Sequence, residues 1–485
     1  MAPNPKRVNI GLLLSMLTIF IAATVELVFC QNVVTNDGLV SEKYEARRMY
    51  TITLSIDPSI IQIIADPRFS SEYYPMYEMV YMSKKPRSEI RRISELMNKL
   101  TVPEIWQSQT DIVADQTTVA NPNKVGILPE GTVEKQPAYV WWVASGFYEA
   151  KSAFSSNVGG IFLINLATDK WRPIPIVNRT GKGFSHTEWI DMDIDGYVDC
   201  VTIEGSNSMN SLIWLQQPAS QSRWTQHRIS GLQEDVGGTE FRVMKLPSSE
   251  TGTVTNVFIV AGRTTGKLTA YWVEDMNNDW SREKKKKSIV IATDGSYVGI
   301  EIVDLNMDGR PEILTSTSAT AGKRGMVLAY EYPRDGFDKG GKWRKHILSQ
   351  WQMTATSYTT TSPGPAFSFR IQSAVEGRTQ AKPHILVSGQ DDGKVYILSP
   401  ETWSPYIWDY KREVIWSSDK RIGTPAIADV DGNGEVEIFI PSDFSINVMK
   451  YMKSSASRKT APVHIMPVLA AIVNAIFNII TFGRS

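Results

Sequence analysis

A short acidic segment occurs three times in this chain of 485 residues, as Asp191–Asp199, Asp304–Glu312 and Asp429–Glu437, each with glycine at its sixth position. Oxygen-bearing side chains stand at positions 1, 3, 5 and 9: Asp191, Asp193, Asp195, Asp199, Asp304, Asn306, Asp308, Glu312, Asp429, Asp431, Asn433 and Glu437. A calcium ion takes about six to eight oxygen ligands, and odd spacing on a curled loop directs successive oxygens to one centre. Glycine permits the backbone reversal. The three copies therefore predict three calcium loops.

The residues on either side of each copy are typical of β-strands. An apolar segment, residues 299–303, leads into the second copy, and Ile313–Thr315 leaves it. An EF-hand would instead require flanking helices and a glutamate at position 12. Each calcium loop is therefore predicted to join two strands.

On these residues the chain resembles the FG-GAP/VCBS repeat family, whose repeats are integrin-α-like calcium loops within β-propellers. The resemblance covers roughly residues 135–453. It implies a propeller in which the loop joins two strands of a blade. The resemblance implies less about function than about fold, because propellers of this family serve as adhesion modules, lectin-like binders and occasional enzymes.

A second periodicity supports a repeat. An apolar strand, a polar turn, a tryptophan and another strand recur around Trp171, Trp224, Trp280, Trp343 and either Trp403 or Trp408. The first four tryptophans are 53, 56 and 63 residues apart. Such spacing is in the range of propeller repeats with turn insertions. Each indole is expected to pack an outer strand against the neighbouring blade.

Both periodicities together predict blades at 111–176, 184–230, 237–291, 297–350, 365–418 and 423–453. The last is too short to be complete. Tyr50–Ile56 alternates as a strand should and is predicted to complete it, since closure leaves no long unpaired edge. Residues 60–110 would form one more blade. Ser88–Leu100 has helical spacing, so this blade is predicted to be irregular or to carry an inserted helix.

The predicted fold class is therefore all-β: a seven-bladed β-propeller over residues 31–453, closed by an N-terminal strand, with six or eight blades as alternatives. Such a ring is expected to be a monomer. Blades beginning near 237 and 365 carry Met244–Ser249 and Gln372–Glu376 where the others carry the acidic motif. We expect these two blades not to bind the ion.

The N-terminus has the layout of a secretory signal. Lys6 and Arg7 precede an apolar run from Ile10 to Phe29, which predicts a signal peptide over residues 1–30. An uncleaved membrane anchor is the alternative. The sequon at Asn178 is consistent with export and glycosylation.

The C-terminal residues 454–485 combine small residues, a polar spacer and an apolar stretch from Ile465 to Phe482. This is the pattern of a GPI-attachment signal. A short membrane-associated helix, or a helix packed on the propeller, is the alternative.

Composition excludes some functions and leaves others open. Lys plus Arg and Asp plus Glu each number 51, so no global charge argues for a nucleic-acid partner. The two cysteines, Cys30 and Cys200, cannot pair once a signal peptide is removed. No nucleophile elbow, phosphate loop or zinc-binding motif is present in the sequence. The run Lys284–Lys287 predicts a solvated strand edge, with an anion site as the alternative.

These observations predict an exported, cell-surface propeller that is stabilised by calcium and binds a glycan or an extracellular protein in its central funnel. One alternative is a carbohydrate-active enzyme, a lyase or dehydratase, which would gather acids, a tyrosine or His186 in the funnel. His186 lies five residues before the first loop, and a structural role is its more common one. A structural surface scaffold is the other alternative.

Overall fold

The computed structural model describes residues 44–68, 76–83, 87–102, 105–106, 109–133, 136–137, 139–147, 158–168, 171–219, 223–319, 323–351, 362–371 and 382–454. Within these residues, 28 strands pair into seven four-stranded antiparallel sheets. The predicted signal peptide and the tail after Ser454 lie outside the described residues. The prediction of an all-β, seven-bladed propeller is confirmed.

Blade 1 consists of β2 (Pro58–Ala65), β3 (Tyr77–Ser83), β4 (Glu89–Ile93) and β5 (Asp111–Asp115), and blade 2 of β6 (Pro122–Ile127), β7 (Val140–Ser145), β8 (Val158–Asn165) and β9 (Ile174–Thr180). Blade 3 consists of β10 (Lys182–Ile190), β11 (Asp199–Ser206), β12 (Asn210–Gln216) and β13 (Thr225–Arg228), and blade 4 of β14 (Gly238–Pro247), β15 (Val254–Gly262), β16 (Leu268–Val273) and β17 (Lys286–Ala292). Blade 5 consists of β18 (Ser296–Val303), β19 (Glu312–Ser318), β20 (Gly325–Glu331) and β21 (Arg344–Trp351), and blade 6 of β22 (Ala366–Phe369), β23 (His384–Ser388), β24 (Lys394–Pro400) and β25 (Tyr410–Ser417). Blade 7 consists of β26 (Ala426–Ala428), β27 (Val436–Ser442), β28 (Ser445–Lys453) and β1 (Tyr44–Thr53).

Apolar packing between neighbouring blades holds the ring together. The buried apolar side chains form seven clusters, and each cluster combines residues of two successive blades. The cluster between blades 7 and 1, for example, contains Ile52 and Val448 together with Ile61 and Met79. Fully burying such a side chain contributes roughly 1.5–3 kcal/mol. Each blade is therefore stabilised on both faces by its neighbours.

The N-terminal strand closes the ring, as predicted. β1 pairs with β28 over Tyr44–Thr53, with Ile52 opposite Ile446. The predicted strand Tyr50–Ile56 overlaps β1 only as far as Thr53, and Leu54–Ile56 lie beyond it. The expected alternation holds, because Ile52, Leu54 and Ile56 are all buried while the residues between them are exposed.

The inserted helix, one of the two alternatives for Ser88–Leu100, is wrong for most of that segment. The structure has strand β4 over Glu89–Ile93 and only a one-turn helix, α1, over Leu96–Lys99. Four of the five β4 residues are buried, because blades pack on both faces of the sheet. In a strand that is buried on both faces, apolar and polar residues need not alternate with a period of two. The spacing of Ile90 and Ile93 therefore resembles that of a helix.

The first predicted blade boundary is also wrong. Asp111–Asp115 is the outermost strand of blade 1, so blade 2 begins at Pro122. Short 3-10 helices lie in some of the described connections, among them Glu283–Lys285, Phe337–Lys339 and Gln390–Asp392. In the part of the chain that is described, no helix has the length and apolar character needed to span a membrane.

The tryptophans occupy the predicted positions. Trp171, Trp224, Trp280, Trp343 and Trp408 each precede the outermost strand of a blade. Each lies within or packs on the cluster shared with the preceding blade. The interpretation of these indoles as contacts between blades is therefore confirmed, with Trp408 rather than Trp403 in blade 6.

Ile52→Ala tests how much the ring depends on its closing strand. We expect this substitution to lower the free energy of unfolding by about 2–5 kcal/mol, because Ile52 is only 4% exposed between blades 7 and 1. Urea denaturation measures the change. Arg47→Ala on the same strand is the control and should change stability by less than about 0.5 kcal/mol. Equal effects of both substitutions would contradict the role of Ile52 in closure.

Candidate metal loops and channel mouth

The three acidic segments join the first and second strands of blades 3, 5 and 7. We call the end of the ring where they lie the loop face. The sixth residues, Gly196, Gly309 and Gly434, have φ of 89°, 84° and 83°, and the fourth residues, Ile194, Met307 and Gly432, have φ of 64°, 64° and 69°. These are left-handed conformations that favour glycine. The predicted backbone reversal is therefore present in every loop.

Acidic side chains converge in each loop. One oxygen from each member of three groups lies within 4.8 Å of the others, and the groups are Asp191, Asp193 and Asp195; Asp304, Asp308 and Glu312; and Asp429, Asp431 and Glu437. The first-position carboxylate also accepts the N–H of the glycine at position 6, at 3.0 Å for Asp191, 2.9 Å for Asp304 and 2.8 Å for Asp429. The fold thus brings together side chains eight residues apart in sequence.

The ninth residue holds the start of its loop. Asp199, Glu312 and Glu437 accept the backbone N–H of position 2 at 2.9, 2.8 and 2.9 Å. Asp199 uses its other oxygen to accept the N–H of Gln217 at 2.8 Å, and it is not part of the converging group. The side chains of Glu312 and Glu437 are one methylene longer than that of Asp199, and both belong to the converging acidic group of their loop. The assignment of Asp199 as a metal ligand stays a prediction.

The remaining predicted ligands are Asn306 and Asn433. Asn306 Oδ1 accepts the N–H of Asp308 at 3.0 Å, and Asn433 Oδ1 accepts the N–H of Glu435 at 2.8 Å. These contacts keep both amides within their loops, and their assignment as ligands also stays a prediction.

The second residue anchors each loop in the core. Met192, Leu305 and Val430 are buried, with exposures of 0%, 0% and 2%. Each belongs to the apolar cluster that contains or contacts a tryptophan of the next blade, namely Trp280, Trp408 and Trp106. The N–H of Trp280 also donates to the carbonyl of Met192 at 2.8 Å. The conformation of a loop is therefore coupled to packing between blades. No sequence signal beyond an apolar residue at position 2 marks this coupling.

The loop oxygens fit a hard divalent cation. Asp193 Oδ1 is buried and has no hydrogen-bond donor among the described residues. Burial raises the pKa of Asp199 to about 7, of Glu312 to about 8 and of Glu437 to about 7. A bound cation would stabilise the ionised carboxylates, which burial alone disfavours. The converging acids of each loop could hold such an ion, and calcium is the one that an all-oxygen site of this kind suits.

We number the loops 1 to 3 in chain order. Loop 3, Asp429–Glu437, differs from the others because the ammonium group of Lys450 lies within it. Lys450 Nζ lies 3.1 Å from Asp431, 3.3 Å from Glu435 and 3.4 Å from Glu437. Lys450 is the cross-strand partner of Glu437, and the equivalent partner of Asp199 is Gln216, whose amide donates to Asp193 at 2.5 Å. Loop 3 thus carries an internal counter-charge that loop 1 lacks.

A cavity lies at the other end of the ring, where the first strands begin. We call it the channel mouth. Its volume is 180 Å³, and it is lined by residues of all seven blades, including Ile60, Lys124, Ser185, Glu240, Arg242, Val298, Phe367 and Thr424. Residues from the first strand of each blade meet here because every first strand runs from the mouth towards the loop face.

Charged side chains from blades 2 and 4 meet at the mouth. Glu240 lies between Lys124, at 3.3 Å, and Arg242, at 3.2 Å. Burial alone would raise the pKa of Glu240, but Lys124 and Arg242 lower it by more. Glu240 is therefore ionised at neutral pH. Sequence reasoning missed these residues, because alternation within a strand does not show which side chains face a shared channel.

His186 lies in the channel wall but is enclosed. It is 7% exposed, packs edge-on against Phe241 and Trp142, and places Nε2 at 2.8 Å from Glu188. Burial lowers the pKa of His186 well below its ordinary value, and Arg242 and Lys124 lower it further. His186 is therefore neutral.

Other predicted features also have defined positions. Lys284–Lys287 lies at the start of the outermost strand of blade 4, where Lys285, Lys286 and Lys287 pair with acids at 3.1, 2.6 and 3.3 Å. This placement supports the solvated-edge interpretation. In blade 4 the turn that corresponds to a calcium loop carries Ser248, which donates to Asp338 of blade 5 at 2.7 Å. The equivalent segment of blade 6, Gln372–Glu376, lies outside the described residues.

In comparisons with known proteins, no protein-family model and no curated protein matches this chain. Among solved structures, an auxiliary nutrient binding protein from Bacteroides ovatus is 13% identical, with 85% of this chain and 78% of that chain covered and a TM-score of 0.37. A PL25 ulvan lyase is 8% identical, with coverage of 84% and 97% and a TM-score of 0.40. The Dos1 propeller is 10% identical, with coverage of 83% and 95% and a TM-score of 0.41. The assignment of the fold rests on the seven sheets and their pairing.

Removal of divalent cations tests the loops. We expect EDTA to lower the melting temperature and calcium to restore it, with a gain of about 2.7 kcal/mol per site at 100 times Kd.

The raised pKa values of Glu312 and Glu437 mean that the metal-free fold loses stability as the pH rises from about 4 to about 8. The gain from calcium should therefore be larger at pH about 8 than at pH about 5.5.

Asp193→Asn should reduce this calcium-dependent gain in a thermal melt, because Asp193 is part of the loop 1 group. Asp419→Asn, the same change at an exposed site, should leave the gain intact. An unchanged melting temperature in EDTA would count against all three loops as ion sites.

Lys450→Met tests the counter-charge in loop 3. We expect the metal-free variant to lose about 1–3 kcal/mol, because Asp431 and Glu437 lose their charged partner. The stabilisation by calcium should increase, since the ion no longer competes with an ammonium group. Differential scanning calorimetry with and without calcium measures both effects. Lys411→Met, at an exposed site, should change neither, and a smaller calcium response in Lys450→Met would contradict the proposal.

Proposed function

We propose that the protein is an exported, cell-surface propeller that is stabilised by calcium in three loops and binds a glycan or an extracellular protein at its channel mouth. The observation that carries the proposal is the 180 Å³ cavity to which all seven blades contribute. Ligand sites are concave, with a few polar groups placed among apolar ones. The mouth has this composition, because Lys124, Glu240 and Arg242 lie beside Ile60, Val298 and Phe367.

The loops would give the mouth its rigidity. Calcium at the loop face would fix the connection between the first two strands of blades 3, 5 and 7. These first strands also reach the mouth, with Ser185 in blade 3 and Val298 in blade 5. Ion binding at one end would therefore hold side chains in place at the other. The resemblance of the loops to FG-GAP/VCBS repeats is part of this proposal.

Export rests on the sequence signals at the two ends of the chain. Asn178 of the predicted sequon is exposed on β9, the outermost strand of blade 2, so its side chain is open to glycosylation. Attachment to the membrane would depend on the C-terminal tail after Ser454.

The enzyme alternative is supported by one contact. His186 and Glu188 form a pair close to Arg242, an arrangement that proton transfer on an acidic sugar could use. Both nitrogens of His186 are enclosed, however, and Nε2 already contacts Glu188. Binding is therefore the function that the geometry supports better.

The proposal is tested by screening the mature protein against a glycan array and a panel of extracellular proteins. Thr424→Trp would fill the mouth, because Thr424 lines the cavity, and should abolish binding. Thr225→Trp, on the exposed outer strand of blade 3, should bind normally. A ligand that binds both variants equally would exclude the mouth as its site, and the absence of any ligand would favour the scaffold alternative. Product formation from a bound polysaccharide would favour the enzyme.

A further inference from the structure

Lys124 and Arg242 at the channel mouth have more N–H donors than their hydrogen bonds use. Lys124 and Arg242 together offer eight N–H groups. Among the described residues, their hydrogen bonds use three of these groups: Lys124 donates to Glu240, and Arg242 Nη1 donates to Glu240 and to the carbonyl of Phe241. One carboxylate lies between two cations, so these three side chains carry a net charge of about +1. Arg263 also lines the cavity, and Glu188 and Glu301 interact electrostatically with Arg242.

Two further polar atoms lack partners at the same cavity. Ser185 Oγ and Gln390 Oε1 are buried without a hydrogen bond, and both residues line the mouth. Ser185 is only 5% exposed. A buried polar atom without a partner costs about 1–3 kcal/mol, so a ligand that supplies the partner is favoured.

We propose that the channel mouth binds an anionic sugar residue, with Lys124 and Arg242 contacting its carboxylate or sulfate and Ser185 contacting a hydroxyl. This inference rests on the proposed binding function and specifies its ligand class. Glu240 is a positioning residue, since it holds both cations at the cavity.

The apolar part of the lining suits a sugar ring. Phe367 is half-buried at the cavity and is joined there by Ile60 and Val298. A pyranose has apolar C–H faces that pack on such surfaces while its hydroxyls bind polar groups. The cavity has a volume of only 180 Å³, whereas peptides commonly bind along exposed strand edges or extended grooves. Its size therefore favours a single sugar residue over an acidic peptide.

A second cleft extends the site. It has a volume of 510 Å³, shares Ile60, Gln390 and Thr424 with the mouth, and is lined by Lys420 and Arg421 as well as by Asp57 and Asp443. A chain with one residue in the mouth could continue into this cleft. An oligosaccharide should therefore bind more tightly than its monosaccharide.

Binding assays with three probes test the ligand class. The probes are an oligogalacturonate tetrasaccharide, its carboxyl-reduced neutral counterpart and a sulfated galactan tetrasaccharide. We expect the calcium-loaded protein to bind at least one acidic probe and to bind the neutral one at least about tenfold more weakly. Comparison of the two acidic probes distinguishes carboxylate from sulfate.

Lys124→Met and Arg242→Met should each weaken binding of the acidic probe by about tenfold or more. Lys124→Arg should retain most of the affinity because it keeps the charge. Lys284→Met, at an exposed lysine outside the mouth, is the matched control and should bind as the unaltered protein does. Loss of binding in Lys284→Met alone would place the anion site on the lysine run and overturn the inference.

Ser185→Ala distinguishes a ligand contact from a structural role. Removing a buried hydroxyl without a partner should leave the melting temperature equal or higher. Affinity for the acidic probe should nevertheless fall several-fold, because the ligand loses a partner. A lower melting temperature with unchanged affinity would show that the hydroxyl supports the fold rather than the ligand.

The remaining outcomes separate this inference from the proposed function. Equal binding of the neutral probe, lost in Thr424→Trp, would overturn the anionic class while leaving a glycan binder. Binding of poly-glutamate at the mouth in place of the sugars would overturn the glycan class. Failure of all probes while an extracellular protein still binds the mouth would overturn the inference alone. Failure of every ligand would overturn both.

Discussion

Packing between successive blades is the interaction on which the structure depends. Each sheet has two apolar faces, and no blade could bury both without a neighbour on either side. The chain satisfies this requirement by closing the ring: β1 completes blade 7, and Ile52 packs with Ile61 and Met79 of blade 1. An open arrangement would expose one sheet face and one strand edge. Closure thus also creates the central channel.

The turns between the first and second strands of the blades are stabilised by different interactions. Blades 3, 5 and 7 gather carboxylates that fit a cation, while their second residues insert beside a tryptophan of the next blade. In blade 1 the guanidinium of Arg68 binds Asp66 at 2.7 Å, and in blade 4 Ser248 binds Asp338. Loop 3 has both kinds of interaction, because its carboxylates fit a cation and also contact the ammonium group of Lys450.

The two ends of the ring have different chemistry because the first strands all run in one direction. Carboxylates predominate in the loops, where first strands end. Lys124 and Arg242 lie where first strands begin, with a single acid between them. A cation at one face and an anion at the other would therefore bind to opposite ends of the same strands. Calcium in the loops would hold the first strands rigid and so keep the ligand-contacting side chains of the mouth in place.

The sequence by itself determined the repeat, the position of the loops and the closing strand. These follow from local signals: the spacing of Asp191, Asp193 and Asp195, the glycine at position 6, and the alternation around Ile52. It did not determine β4, because a strand buried on both faces loses its period of two. Only the tertiary structure decided that Asp199 accepts the N–H of Met192 and does not join the other acids of loop 1. It also decided that Lys450 lies within loop 3 and that Lys124 and Arg242 both contact Glu240. These contacts join residues of different strands or blades, and no local pattern encodes which side chains a closed ring brings together.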